Sequence, residues 1–166
     1  AAKIAEIAAG LTAKNLAAAL IADPSSVAWI FNIRGADVPH TPHPLSRALI
    51  SADGKTELFI DDRKLGTEAR AHLQPLAAIH APASLSERIG AYAKDGGRVL
   101  VDPELTALAL IIAIEVAGGT VVDGTDPARL PRAIKNEVEL KGSADAHLQD
   151  GVAMVEFLCW LDQSQP

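Results

Sequence analysis

The residues with chemistry to offer gather in one short stretch, Asn-Ile-Arg-Gly-Ala-Asp-Val-Pro-His-Thr-Pro-His-Pro, residues 32–44. Arg34 brings a planar guanidinium able to grip a carboxylate through two parallel hydrogen bonds, and Asn32, Asp37 and His40 add an amide, a carboxylate and an imidazole close by. Polar groups placed after a helix end and before a run of prolines sit on a loop, where binding residues concentrate. Asn32, Arg34, Asp37 and His40 are therefore the candidates for the edge of a substrate cleft, with Arg34 reaching a substrate carboxylate or carbonyl. The same residues admit a plainer role, in which Arg34 and Asp37 form an internal ion pair that fixes the loop. Asp37, His40 and His43 have a spacing compatible with a metal, but Pro39, Pro42 and Pro44 keep the segment extended and poorly suited to converging three ligands. A stiff, exposed loop that pins the start of the next strand is the expectation, with no metal bound.

No other arrangement in the chain supplies a nucleophile. There is no Gly-x-Ser-x-Gly elbow, no His-Glu-x-x-His, no Cys-x-x-Cys and no phosphate-cradling glycine loop. Cys159 lies in an apolar helical stretch, where a thiol behaves as a small hydrophobe. His72, His80 and His147 are isolated and read as structural histidines. Trp29 and Phe31 could line a pocket, but their neighbours Val27 and Ile30 favour core packing. No catalytic residue is assigned.

The elements that must hold this loop follow from periodicity. Ile4, Ile7, Ala8 and Leu11 mark a first amphipathic helix, residues 16–22 an apolar strand closed by Asp23-Pro24, and 24–31 a helix opened by Pro24. Residues 45–51 and 56–60 flank Asp53-Gly54 as a hairpin. A helix over 67–73, a strand over 76–80 and a helix over 84–93 come next, the last with Ser84 and Glu87 as a capping box. Strand 98–101, a helix from Pro103 to Ala117 and strand 120–122 complete the alternation. Interleaved helices and strands with one hairpin predict an α/β fold, three layers α/β/α around a mixed sheet, followed by a long C-terminal helix.

That last helix, over 136–163, places Leu140, Ala144, His147, Leu148, Val152, Val155, Leu158 and Leu161 near one face, widened by Phe157 and Trp160. Gly142 and Gly151 are points where it could bend or break. Its apolar surface exceeds what the end of a small domain can bury, so Leu148, Val152, Val155, Phe157, Leu158, Trp160 and Leu161 are candidates for an interface. The expected division is an α/β domain over 1–135 and a linker with the helix over 136–166.

Three strings carry a family resemblance: VAWIFNIRGADVPHTP at 27–42, LPRAIKNEVEL at 130–140 and AHLQDGVAMVEFLCWL at 146–161. Their order and separation resemble the landmarks of aminopeptidase P, an Xaa-Pro aminopeptidase of the creatinase/prolidase group. The resemblance implies the middle, non-catalytic domain of a three-domain enzyme, of the creatinase/prolidase N-terminal type. It further implies a pita-bread catalytic domain of the same chain as partner, a homodimeric parent, and two divalent metals, manganese preferred, held by ligands beyond Pro166. This chain itself would hold no cofactor. The implied role is to assist dimerisation and wall the cleft of an enzyme that removes an N-terminal residue preceding proline. A stand-alone small-molecule or protein-binding module is the alternative.

Bulk properties agree with that class. The 166 residues are 49% hydrophobic, enough for one core, and a formal net charge of -6 without basic clusters argues against nucleic acid or an anionic membrane as partner. The apolar run 105–117 is too short to span a bilayer, which needs about 20 residues. One cysteine among 166 residues fits a reducing compartment, so a soluble cytoplasmic protein is expected.

Overall fold

The computed structural model describes residues 1–164, which divide into two compact units, one ending at Pro131 and one beginning at Arg132. The first unit is built on a six-stranded sheet of order β4-β3-β2-β1-β5-β6. Its strands are β1 (Ala18–Ile21), β2 (Ser46–Ser51), β3 (Thr56–Ile60), β4 (Ala78–His80), β5 (Arg98–Val101) and β6 (Thr120–Asp123). β1, β2 and β3 pair antiparallel, whereas β1–β5, β5–β6 and β3–β4 pair parallel, so the sheet is mixed.

Side chains alternate across the strands and divide the core into two layers. Ala19, Ile21, Ala48, Ile50, Leu58 and Ile60 face one side, packed with α1 (Ala2–Ala13) and α2 (Pro24–Phe31). Leu20, Leu49, Phe59, Val99 and Val101 face the other, packed with α4 (Leu85–Ala93) and α5 (Leu108–Val116). Strands covered on both faces must be apolar at nearly every position, which is why β1 reads Ala-Ala-Leu-Ile with all four residues buried. α3 (Thr67–Leu73) adds Leu73 to the first layer.

Local signals placed most boundaries. Asp23 caps α2, its carboxylate accepting from the Ser25 amide at 2.9 Å with Pro24 in the first turn. In the β2–β3 connection Gly54 takes the positive φ of 83° that an L side chain resists. β1 and β4 are shorter than the expected strands over 16–22 and 76–80, the Leu76 and Ala77 amides being taken by the Leu73 carbonyl, and two helix starts differ from expectation. Ser84 is no cap: Pro82–Ser84 forms a 3-10 turn that runs into α4, Ser84 is helical itself, and its hydroxyl donates back to the Ala81 carbonyl at 2.8 Å. α5 begins at Leu108 instead of Pro103, because the Asp102 carboxylate and carbonyl take the amides of Glu104, Leu105 and Thr106 into a separate turn and Ala107 is extended.

A short helix, α6 (Arg129–Ala133), precedes α7 (Glu137–Gln163), which makes up most of the second unit. A capping box unforeseen in the sequence opens α7: the Asn136 side chain accepts from the Glu139 amide and the Glu139 carboxylate from the Asn136 amide, each at 2.9 Å. Helical hydrogen bonding elsewhere in the turn outweighs the cost of Gly142 and Gly151, and α7 runs unbroken for 27 residues. Among the described residues no helix is long and apolar enough to cross a membrane.

Candidate functional site

The loop after α2 owes its shape to backbone geometry. Asn32 ends the helix in the left-handed conformation, φ 53°, which its short amide side chain tolerates, and the Ile33 amide returns to the Ala28 carbonyl at 3.0 Å. Ile33 is buried and anchors the chain, so Asn32 and Arg34 on either side of it are exposed. The Gly35 amide donates to the Pro42 carbonyl at 3.3 Å, closing the loop on itself. A Cβ at Gly35 would lie 2.9 Å from three atoms of Pro44, so this close approach requires glycine. At the tip, Val38 and Thr41 form a bridge turned by His40, whose φ is 59°.

Asp37 ties this loop to the sheet. Its carboxylate accepts from the Leu45 amide at 2.6 Å and pairs with the Lys64 ammonium, delivered by the turn that follows β3. The Lys64 hydrogen bond, with help from the Leu45 amide, holds the Asp37 carboxyl below the usual carboxylate range. An Arg34–Asp37 ion pair, one of the two sequence readings, is therefore corrected: the partner of Asp37 is a lysine 27 residues along the chain, while Arg34 donates to the Ile33 carbonyl at 2.9 Å. The bracing role foreseen for the loop is present all the same, since the Asp37–Leu45 bond fixes the residue just before β2.

Between the loop and the β3 end lies a cavity of about 280 Å³, with Ile33, Pro44, Ile60 and Leu65 as apolar walls and Arg34, Asp37 and Lys64 at the polar side. Arg34 and Asp37 thus share one cavity, whereas Asn32 and His40 do not line it. With one donor engaged by Ile33, the exposed guanidinium keeps others for a carboxylate or carbonyl. Among the described residues no group of three His, Cys, Asp or Glu could hold a metal ion.

Other residues singled out by the sequence are placed as follows. Phe31 is fully buried in the core, as its neighbours suggested, but Trp29 is only half-buried, with the Lys3 ammonium 4.0 Å from its ring centre. His72 meets the Phe31 carbonyl at 2.8 Å and His147 the Ser143 carbonyl at 2.7 Å, both structural contacts. Along α7 no residue is buried, and Leu148, Val152, Val155, Phe157, Leu158, Trp160 and Leu161 are each at least half exposed. Phe157 and Trp160 touch each other, ring centres 6.0 Å apart.

One cluster escaped sequence reasoning. Glu57, the second residue of β3 with its side chain 6% exposed, receives two hydrogen bonds from Arg88, at 2.6 and 2.8 Å, and one from the Tyr92 hydroxyl at 2.7 Å. The His80 ring nitrogen lies 3.2 Å away. Burial pushes the Glu57 carboxyl up, but the Arg88 and Tyr92 hydrogen bonds outweigh it and hold the group below its ordinary value. Burial, and next the hydrogen bond to Glu57, push the Tyr92 hydroxyl up to about 12. The only trace of this in the sequence is the four-residue spacing of Arg88 and Tyr92 on one face of α4, beside a lone carboxylate in an apolar strand.

Comparison with known proteins fits this architecture. The family model described as the creatinase/prolidase N-terminal domain matches residues 1–139. The chain is 33% identical over 171 aligned residues to the probable Xaa-Pro aminopeptidase P of Arthroderma gypseum, an alignment covering 98% of this chain and 26% of that protein. It superposes with a TM-score of 0.84 and 30% identity on the crystal structure of an X-prolyl aminopeptidase from Caenorhabditis elegans, described as a cytosolic enzyme with a di-nuclear active site; 97% of this chain and 27% of that one are covered. The N-terminal domain of the cytoplasmic peptidase PepQ from Mycobacterium tuberculosis shares the fold, with a TM-score of 0.56 at 21% identity over 75% of this chain and 93% of that domain. The chain therefore spans about a quarter of the curated relatives it matches. With a two-layered core around a mixed sheet and a family match over most of its length, this chain belongs to the creatinase/prolidase N-terminal domain family.

Proposed function

We propose that the chain is the middle, non-catalytic domain of a metal-dependent Xaa-Pro aminopeptidase, where it assists dimerisation and walls the substrate cleft. The observation that carries this reading is the near-complete likeness, α7 included, to a quarter of an X-prolyl aminopeptidase with a di-nuclear centre. The parent enzyme would release an N-terminal residue that precedes proline, in the cytoplasm and as a homodimer. Two divalent metals, manganese preferred, would supply an activated water there. The described residues of this chain do not fit such a centre, and no chemical step is assigned to them.

What these residues would do is bind and orient. α7, with an apolar surface no residue of which is buried, is suited to docking on a catalytic domain of the same polypeptide. The exposed Arg34, held on a loop braced by Asp37 and Lys64, would reach a substrate carbonyl or carboxylate from the cleft wall. Hydrogen bonds to charged groups are worth about 1.5–3 kcal/mol, so Arg34→Ala in the whole enzyme is expected to raise KM roughly tenfold or more while kcat changes less than about twofold. An unchanged KM for Xaa-Pro peptides would remove Arg34 from the cleft.

A further inference from the structure

Between α1 and residues 127–131 the first layer of the core is open. The groove there has a volume of about 350 Å³, within the range of small-molecule sites. Ile7 and Leu11 of α1 and Leu100 of β5, all buried, form its apolar floor. Trp29, Pro127 and Pro131 wall it, and the two prolines bring no N–H donor. The Lys3 ammonium donates to the Trp29 carbonyl at 2.6 Å and lies 4.0 Å from the centre of its ring, which holds the aromatic wall in place.

Two observations set this groove apart from a simple packing gap. Gly10 sits inside α1 on the groove side, and a Cβ there would meet nothing within 4 Å. Glycine within a helix is destabilising relative to alanine, and α1 is otherwise rich in alanine, so packing gives no reason for the exchange. Its effect is to keep the groove open. Beyond Lys3, the rim also carries one charge of each sign, Glu6 and Lys14, both exposed. Glu6, Gly10 and Lys14 follow one another at four-residue intervals, so the two charges stand at either end of the opening that Gly10 leaves.

We propose that this groove binds a short apolar peptide with both ends free, its ammonium at Glu6 and its carboxylate at Lys14. A monocarboxylate would leave Glu6 unmatched and a simple amine would leave Lys14 unmatched, so a ligand with both charges is the electrostatic complement. The span selects its length. Eight residues of helix separate the Cα atoms of Glu6 and Lys14 by about 12 Å, and a hydrogen bond of about 3 Å at each end leaves about 6 Å between the charged groups of the ligand. A single amino acid carries both groups on one carbon and cannot reach so far. A chain that gains about 3.4 Å per residue spans the distance with two or three residues. The inference rests on α1, Trp29, Leu100 and residues 127–131 and does not depend on the peptidase reading.

The test uses the 166-residue chain with Trp160→Phe, which leaves Trp29 as its one tryptophan. The peptide Leu-Ala-Leu is expected to change Trp29 fluorescence with a Kd on the order of 0.1 mM. Acetylating its amino end, or converting its carboxylate to an amide, should each weaken binding about three- to fivefold, as for other solvent-exposed charge pairs. Glu6→Gln should cost the free peptide the same factor and the acetylated peptide nothing more; Lys14→Met should behave likewise with the amide. Gly10→Leu puts a side chain into the opening while favouring the helix, so it should abolish the response with Tm held or raised. No change in Trp29 fluorescence up to a hundredfold above that Kd, blocked peptides that bind as tightly as the free one, or binding that survives Gly10→Leu would each overturn the proposal.

Discussion

Replacing Arg88 by alanine is expected to destabilise the chain by about 2 kcal/mol at neutral pH, and the loss should shrink on acidification. Removing one partner of a buried ion pair costs about 3–5 kcal/mol, because the other charge stays buried without compensation. The Arg88 side chain is 42% exposed, so water screens part of the pair, and Tyr92 still donates to Glu57; a value near 2 kcal/mol follows. The pH dependence has a definite sign. In the native fold the Glu57 carboxyl sits below its ordinary value, so it contributes stability above the unfolded pKa of about 4.3 and that contribution is lost as pH falls through the folded pKa. In Arg88→Ala the guanidinium is gone and burial dominates, so the carboxyl rises and the variant has less to lose in acid. Urea unfolding at pH 7 and below pH 4 should show the two proteins converging. A gap independent of pH would mean that Arg88 acts through the packing of its aliphatic stem.

The largest loss of stability is expected at Phe31. Its ring is fully buried in the layer formed with α1 and α2, and the next residue is the left-handed Asn32 from which the candidate loop departs. Truncation to alanine removes the transfer energy of the ring and leaves a cavity, about 4 kcal/mol in well-packed cores. For a domain of this size that corresponds to a fall of roughly 10 °C in Tm. The half-buried Trp29 reports on the same helix, and its fluorescence should shift to the red as water enters. Trp29→Phe, by contrast, should move Tm by only a few degrees, because Trp29 packs at the margin of this layer and is only partly buried. A Phe31→Ala protein as stable as the parent would contradict the placement of this ring at the centre of the layer.

The difference between what the sequence disclosed and what it concealed is one of range. β1, the β2–β3 hairpin, α2 and α3 were legible because apolar runs, Asp-Pro and Asp-Gly act within a few residues of the structure they set. The two errors in helix starts come from competition between equivalent local signals. Ser84 has the composition of a cap, but the turn begun by Pro82 reaches it in helical geometry; Pro103 could open a helix, but Asp102 takes the amides that would start it. The Asn136 capping box is weakly marked in the sequence, because its cap is Asn where the usual signal is Ser or Thr.

At the candidate site the same distinction holds. The loop was legible as a loop, and Arg34 and Asp37 as its polar members, from Asn32 and the prolines alone. The identity of the partner of Asp37 was not, because the sheet brings Lys64 to it from another element. Glu57 is the stronger case. Nothing near it in sequence pairs with it, and only the packing of α4 across β3 unites it with Arg88 and Tyr92 over 31 and 35 residues.

A chain that serves as a scaffold is expected to hydrolyse no peptide by itself, which peptide hydrolysis measures directly. The 166-residue chain and the full-length product of its gene would each be incubated with an Xaa-Pro peptide and excess Mn²⁺, and release of the N-terminal residue followed. The full-length protein is expected to release it, and the chain alone to show no release above the metal blank. Release proportional to the concentration of the chain alone, or none from the full-length product, would contradict the account.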